Sequence, residues 1–369
     1  MIINNKQNTS FCGYDVTKLR GIYMQGTRNK DERNILREIR SILHNEGLQL
    51  FLNDTNMKIS DRFEPDMKFV DKALSIWGQD RKAFVVNKSG KQILWNTNEP
   101  VMLKEDLGPL SDFEINPAAY MPRGGNYYIG TTKNGEKWLL LNNEILSTYS
   151  NPSNTLTEKI LENIFDVKAE NIFKLKISEL DLDEIVRPIG YPYILVNDYN
   201  EALINIRKMK EKFPRSVDIY SKLQTYIQEQ INKDSILKYQ SCDCICSKLE
   251  SFGFKPIKIA ARYDNGINFI NALAFENKKG KISYITNSTN KTCPELKYLE
   301  DLFEQTLKSK VPEISDSYFI SGGSYPEYFS KNSYRVLTDN GINPRNHIMD
   351  ILSNRGGGIH CMCAEVPKF

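Results

Sequence analysis

Apolar positions along the chain follow two alternating periods. Between residues 32 and 44, Ile35, Leu36, Ile39, Ile42 and Leu43 recur at helical spacing, and Gly47 is placed to end the helix. Residues 48–52 then read as a strand. A second helix is expected after Thr155, which forms a capping box with Glu158; Leu156, Ile160, Leu161, Ile164 and Phe165 make its buried stripe, and a strand at 171–177 follows. From 201 to 249 the pattern is helical almost throughout, with Leu223, Tyr226, Ile227 and Ile231 in phase, before Gly253 and a strand at 256–261. Pro294 opens a helix striped by Leu296, Leu299, Leu302, Phe303 and Leu307. No Pro/Ser-rich linker or low-complexity tract interrupts this alternation. A strand, helix, strand rhythm recurs without a repeat in residue identity, which predicts one α/β body built from degenerate structural units.

Composition narrows the function classes. With 369 residues, 40% of them hydrophobic, the chain can bury a large core, and disorder is excluded. A formal charge of +3 is too small to argue for a nucleic acid or an anionic membrane as partner. The N-terminus turns polar after Ile3, so no signal peptide is readable, and no apolar run approaches the ~18 residues of a membrane span. The seven cysteines are an odd count, which predicts reduced thiols and a cytoplasmic, reducing compartment, with delivery to another cell left open.

Several segments could carry chemistry. Cys361 follows Gly356-Gly357-Gly358, a run free to turn sharply and let a ligand approach. The plainer reading is a glycine turn before a buried strand. In such a strand Cys361 and Cys363 share one face, while His360 and Met362 take the other, so His360 is not expected to serve as base for its neighbour. Asp181 and Asp183, two apart in an extended segment, would present both carboxylates to a cation; the competing reading is an acidic surface turn. Asp80, after Trp77-Gly78-Gln79, and Arg123-Gly124-Gly125-Asn126 read equally as a helix end and a hairpin turn. Cys242, Cys244 and Cys246 lack the two-residue gap of a zinc knuckle and a nearby histidine, so free helical thiols are expected, with neither metal nor other cofactor. His44 belongs to the end of the first helix. His347 is the one histidine expected to reach Cys361 from a loop.

Taken in order, these segments resemble the catalytic domain of the protein-arginine deiminases, within the guanidine-modifying superfamily that includes agmatine and arginine deiminases. Ile76-Trp77-Gly78-Gln79-Asp80 looks like the family's Trp-Ile-Gln-Asp, and Tyr120-Met121-Pro122-Arg123-Gly124 resembles its Tyr-Val-Thr-Arg-Gly. Gly124-Gly125-Asn126 is similar to the Gly-Gly-Asn of agmatine deiminases. Asp181-Leu182-Asp183-Glu184 falls where the family has His-Val-Asp-Glu, Asn268-Phe269-Ile270-Asn271-Ala272-Leu273 resembles Asn-Met-Val-Asn-Met-Val, and Ile359-His360-Cys361 matches Val-His-Cys. The resemblance spans roughly residues 30–367.

It implies the pentein fold, five ββαβ units around a pseudo-fivefold axis with the active site in the central channel. Residues 1–30 would be an extension ahead of a single domain over 31–369, with a helical insertion around 200–250. By the same resemblance Cys361 is the nucleophile, Asp80 and Asp183 hold the guanidinium, Arg123 contacts substrate backbone carbonyls, and Gly124 and Asn126 line the substrate site. The implied substrate is an arginine-containing peptide or protein. Two departures stand out. Asp181 occupies the place of the family's acid/base histidine, and Arg81 and Lys82 follow Asp80 where the family places an acidic calcium ligand, which predicts calcium independence. Three functions are compatible: cysteine-dependent deimination with Asp181 as atypical acid/base, a guanidinium-binding pseudoenzyme, and amidino or other group transfer through a Cys361 intermediate.

Overall fold

Every strand among the described residues finds its partners in one of five three-stranded sheets built to the same plan. The computed structural model describes residues 18–25, 30–53, 82–87, 89–97, 104–118, 124–132, 134–143, 154–178, 181–264, 267–289, 293–320 and 359–367. The strands are β1 (Leu19–Gln25), β2 (Gln49–Asn53), β3 (Lys82–Val86), β4 (Gln92–Thr97), β5 (Glu114–Ala118), β6 (Tyr127–Thr131), β7 (Lys137–Asn142) and β8 (Ile172–Leu175). They continue with β9 (Val186–Pro188), β10 (Tyr193–Asn197), β11 (Lys255–Ile259), β12 (Leu273–Glu276), β13 (Ile282–Asn287), β14 (Ile314–Ile320) and β15 (Cys363–Pro367).

In each sheet the central strand runs antiparallel to one neighbour and parallel to the other: β3-β4-β5, β6-β7-β8, β9-β10-β11 and β12-β13-β14. A parallel pair needs a crossover, and helices supply it. These are α1 (Lys30–Glu46) between β1 and β2, a 3-10 helix (Lys104–Leu110) between β4 and β5, and α2 (Asn154–Phe165) between β7 and β8. Between β10 and β11 run α3 (Tyr199–Lys212), α4 (Val217–Ile236) and α5 (Cys242–Ser251), and α6 (Pro294–Lys310) joins β13 to β14. The remaining sheet, β15-β1-β2, is completed by the last strand, with Met24 opposite Cys363 and Leu19 opposite Pro367. Five ββαβ units of this kind are the pentein architecture. β1 is therefore a central strand inside the stretch the sequence assigned to an extension.

Local sequence explains most boundaries. Gly47 ends α1 at φ +86°, its N–H bonded to His44 O at 3.2 Å. Pro294 takes the first position of α6, where a missing N–H costs nothing. α2 begins at Asn154, which places Thr155 inside the helix rather than at its N-cap, and Glu158 pairs with Lys174 of β8. The long helical block is three helices. The Asp198 side chain caps α3 by accepting from Asn200 N and Glu201 N, and Ser241 Oγ caps α5 by accepting from Cys244 N. Cys242, Cys244 and Cys246 are free thiols on α5.

The apolar core lies between sheets and outer helices: Leu296, Leu299, Phe303 and Leu307 of α6 pack with Ile206 and Met209 of α3 and Leu223 and Ile227 of α4. Polar burial has its own order. The central strands β7, β10 and β13 each end on a buried asparagine, Asn142, Asn197 and Asn287. Asn142 Oδ1 accepts from Ile177 N at 3.1 Å, and Asn197 Oδ1 accepts from Ala261 N at 3.1 Å. Each clamps the backbone two residues beyond the parallel strand of its own sheet. Asn287 Oδ1 accepts from Ile359 N at 3.0 Å and so fixes the turn before β15. These clamps satisfy backbone groups that would otherwise be buried without partners.

Candidate active site

Three of the matched segments converge, although they lie far apart in the chain. Gly124–Asn126 forms a buried 3-10 turn entering β6, Leu182–Glu184 a second one before β9, and Ile359–Met362 a single helical turn, α7, before β15. The strand expected through His360 and Cys361 begins only at Cys363. Its amide hydrogens explain the difference: Asn287 takes Ile359 N, and Asn271 Oδ1 takes His360 N at 2.9 Å, so both are drawn away from a sheet ladder.

Asn126 binds the second turn to the first. Its amide nitrogen donates to Asp181 Oδ1, while its Oδ1 accepts from Leu182 N at 3.3 Å and from Asn142 Nδ2 at 3.1 Å. Sequence reasoning put Asn126 in the substrate site; the fold gives its side chain the work of holding Asp181. Asp183, on the same turn, is fully buried, and Oδ2 lies 2.8 Å from His360 Nδ1. Gly125 makes this approach possible: a Cβ there would sit 2.9 Å from Asp183 Oδ1 and 3.2 Å from Cγ. Gly125→Ala is expected to cost about 1–3 kcal/mol of stability, because Asp183 is tethered and cannot yield. The midpoint of urea unfolding measures it, and an unchanged midpoint would mean that the turn is soft.

Around the pair lies a chain of buried charge. Arg187 of β9 is fully buried, donates to Glu365 Oε1 of β15 at 2.5 Å, and places Cζ 5.3 Å from the centroid of the Tyr128 ring. Burial works against its charge, but Glu365 and Tyr128 more than restore it, so the guanidinium stays protonated. Burial pushes the Tyr128 phenol well up against the pull of Arg187, and its neutral hydroxyl donates to Val186 O at 3.0 Å. The His360 ring packs on Tyr128 with centroids 5.3 Å apart, and its Nε2 lies 4.0 Å from Glu365 Oε1. Breaking such a pair from one side strands the other charge. Arg187→Met is expected to destabilise by about 3–5 kcal/mol, with much of the loss recovered in Arg187→Met/Glu365→Leu. A double variant no better than the single one would contradict that assignment.

Contact with a carboxylate ordinarily favours an imidazolium. Here burial and then Arg187 outweigh it, with Glu365 opposing, and the His360 pKa is pushed down to about 3. The bond to Asp183 is therefore one from a neutral Nδ1–H. Since the unfolded ring titrates near 6.5, the unfolded chain binds this proton first. The stability His360 contributes is complete above pH ~6.5 and is lost as the pH falls toward 3, by at most about 1.4 kcal/mol per pH unit. Unfolding free energies measured across that range are expected to flatten in His360→Asn; an equal slope in both proteins would refute it.

Other groups are placed plainly. Glu184 pairs with Arg262 at 2.8 Å; burial first, and then repulsion from Asp183 and Asp181, lifts its carboxyl despite that partner. Cys363 is buried in β15, where burial pushes its thiol far up and leaves it a poor nucleophile. Cys361 lies in α7, directly after His360. Asp80, Arg123, His347 and the Cys361 side chain lie outside the described residues, whereas Asp181, Asp183, Gly124 and Asn126 are brought together. A cleft lined by Phe84, Gly124, Tyr128, His360, Ala364 and Glu365 opens beside them. No group of three or more metal-ligating side chains occurs among the described residues.

Sequence reasoning missed His360, Asn271, Asn287 and the Arg187–Glu365 pair as parts of this site. The first two sit inside matched motifs, the only signal that could have found them.

No family model matches the chain, and no curated protein does. Solved structures do. The agmatine deiminase of C. jejuni is 14% identical, over 96% of this chain and 95% of that one, with a TM-score of 0.51. The agmatine deiminase of Enterococcus faecalis is 10% identical, over 96% of this chain and 95% of that one, with a TM-score of 0.52. The chain thus shares the pentein fold of these proteins over almost its whole length. No helix among the described residues is long and apolar enough to cross a membrane.

Proposed function

We propose that this chain is a cysteine-dependent enzyme acting on guanidinium groups, and that its reaction is deimination of peptidyl arginine to citrulline. The observation that carries the reading is the convergence of the Gly124–Asn126 turn, the Asp181 and Asp183 carboxylates and the helical turn that carries His360 and Cys361 in a pentein fold. The same fold in two agmatine deiminases supports guanidinium as the substrate group.

The chemistry suits the residues. A guanidinium is planar, charged and rich in donors, so it calls for carboxylates, and Asp183 with Asp80 supplies them. The Cys361 thiolate attacks the guanidinium carbon, forming a C–S bond. The tetrahedral adduct breaks one C–N bond, and ammonia leaves with a proton from Asp181. Water then adds to the S-alkylthiouronium, Asp181 takes one of its protons, the thiolate departs, and the remaining hydroxyl proton passes through solvent to the released ammonia, giving the neutral ureido product. Arg123, bonding backbone carbonyls of a bound peptide, favours peptidyl arginine over the free amino acid or agmatine. Arg81 and Lys82 beside Asp80 argue for activity without calcium.

A second reading, a guanidinium-binding protein without turnover, is favoured by one observation: the imidazole next to Cys361 is buried, neutral and engaged with Asp183. Incubation of arginine peptides, free arginine and agmatine with the protein in chelator separates the two. Conversion of peptidyl arginine supports the enzyme, whereas binding without any product supports the second reading. Product that depends on an added amine would instead identify group transfer.

A further inference from the structure

The dipeptide that carries Cys361 also carries the imidazole that holds Asp183. His360 is fixed from two directions. Its backbone N–H is taken by Asn271 Oδ1 at 2.9 Å, and its Nδ1 meets Asp183 Oδ2 at 2.8 Å across 177 residues of sequence. Among the described residues, the charged and titratable groups facing the ring are Asp183 from the turn before β9, Arg187 on β9, Glu365 on β15 and Tyr128 on β6. The other ring nitrogen lies 4.0 Å from Glu365 Oε1, too far for a hydrogen bond to that oxygen.

We propose that His360 is the positioning residue of the site: its Nδ1–H fixes the Asp183 carboxylate relative to the turn that bears Cys361, so that carboxylate and nucleophile are held as one unit. What is positioned rests on the guanidinium reading; the bond itself does not. An imidazolium at this place would cancel the charge that attracts a guanidinium. A neutral N–H orients the carboxylate and leaves its charge in place. The neighbours are arranged to that end, since Arg187 disfavours a proton on the ring and Glu365 in turn takes up the charge of Arg187. Fixing two reacting partners to a common frame is how a site holds a near-attack geometry.

The histidine has no part in proton transfer under this account. Its removal should therefore weaken substrate capture and leave the pH dependence of any turnover where it was. Asn can place an amide N–H where the imidazole Nδ1–H lies, whereas Gln reaches further and Leu offers no donor.

Nitrogen-15 NMR of histidine-labelled full-length protein, with the signal of His360 assigned from His360→Asn among the three histidines, tests the bond directly. A neutral Nδ1–H tautomer unchanged between about pH 5 and 9 is expected. An imidazolium at neutral pH, or the Nε2–H tautomer, would overturn the proposal whether or not the protein acts on guanidinium. Calorimetry with acetyl-arginine-amide then reads the consequence. His360→Asn should bind within about threefold of the wild type, and His360→Gln and His360→Leu about 10- to 100-fold more weakly, the worth of one hydrogen bond to a charged group. If His360→Leu fails to fold, the comparison of Asn with Gln still decides, because equal affinities in those two would overturn positioning through Nδ1. Failure of the wild type to bind the probe, together with the expected tautomer, would count against the guanidinium reading and leave the clamp standing.

Discussion

Cys361→Ala is expected to abolish arginine modification, with a loss on the order of 10⁴-fold or more in kcat, because the neighbouring thiol cannot take over the covalent step. Cys363, two residues on, is sealed in β15 with its thiol pushed far above the ordinary range by burial. Rate measurements on an arginine peptide check this, together with a guanidinium-binding measurement on the same variant. Binding should persist within a few-fold, since Asp183 and its tether to His360 are untouched by the substitution. Residual turnover within tenfold of the wild type would remove Cys361 from the mechanism.

Asp183→Asn should have the second largest effect, and for a different reason. The side chain keeps its volume, and its carbonyl can still accept from His360 Nδ1–H, so the fold should survive. What it loses is the charge. A charge-assisted bond to guanidinium is worth about 1.5–3 kcal/mol, so substrate affinity should fall by about 10- to 100-fold, and kcat/KM by at least as much. Asp183→Ala should in addition lower stability by about 1–3 kcal/mol, because it leaves the His360 donor buried without its partner. Kinetics and denaturation on the two variants separate charge from packing. A fully active Asp183→Asn would show that this carboxylate serves the fold alone.

Elements with a wide apolar stripe were legible in the sequence. The stripes over α1, α2 and α6 gave the helices within a few residues, and Gly47 and Pro294 marked real ends. The fivefold repeat was not, for a physical reason. What recurs in three of the five units is a single asparagine at the end of the central strand, in β7, β10 and β13, and α3, α4 and α5 are inserted between two of these, so no fixed period survives. Asp181 and Asp183 stand out in the sequence because their spacing is local and matches a motif. The relation of His360 to Asp183 does not, since a contact across 177 residues leaves no trace in either period. Strand alternation placed His360 on the face away from its neighbour. The backbone there is a helical turn imposed by Asn271 and Asn287, and only the fold brings those two asparagines beside it.

Deimination through Cys361 would leave its mark on the mass of the substrate. Mass spectrometry of a mixture of arginine peptides, free arginine and agmatine, incubated in chelator with wild type or with Cys361→Ala, addresses it most directly. The expected result is a gain of about 1 Da on peptidyl arginine, the exchange of one nitrogen for oxygen, seen with the wild type and absent with the variant. An unchanged mass on every substrate, with no adduct on Cys361, would contradict guanidinium chemistry at this site.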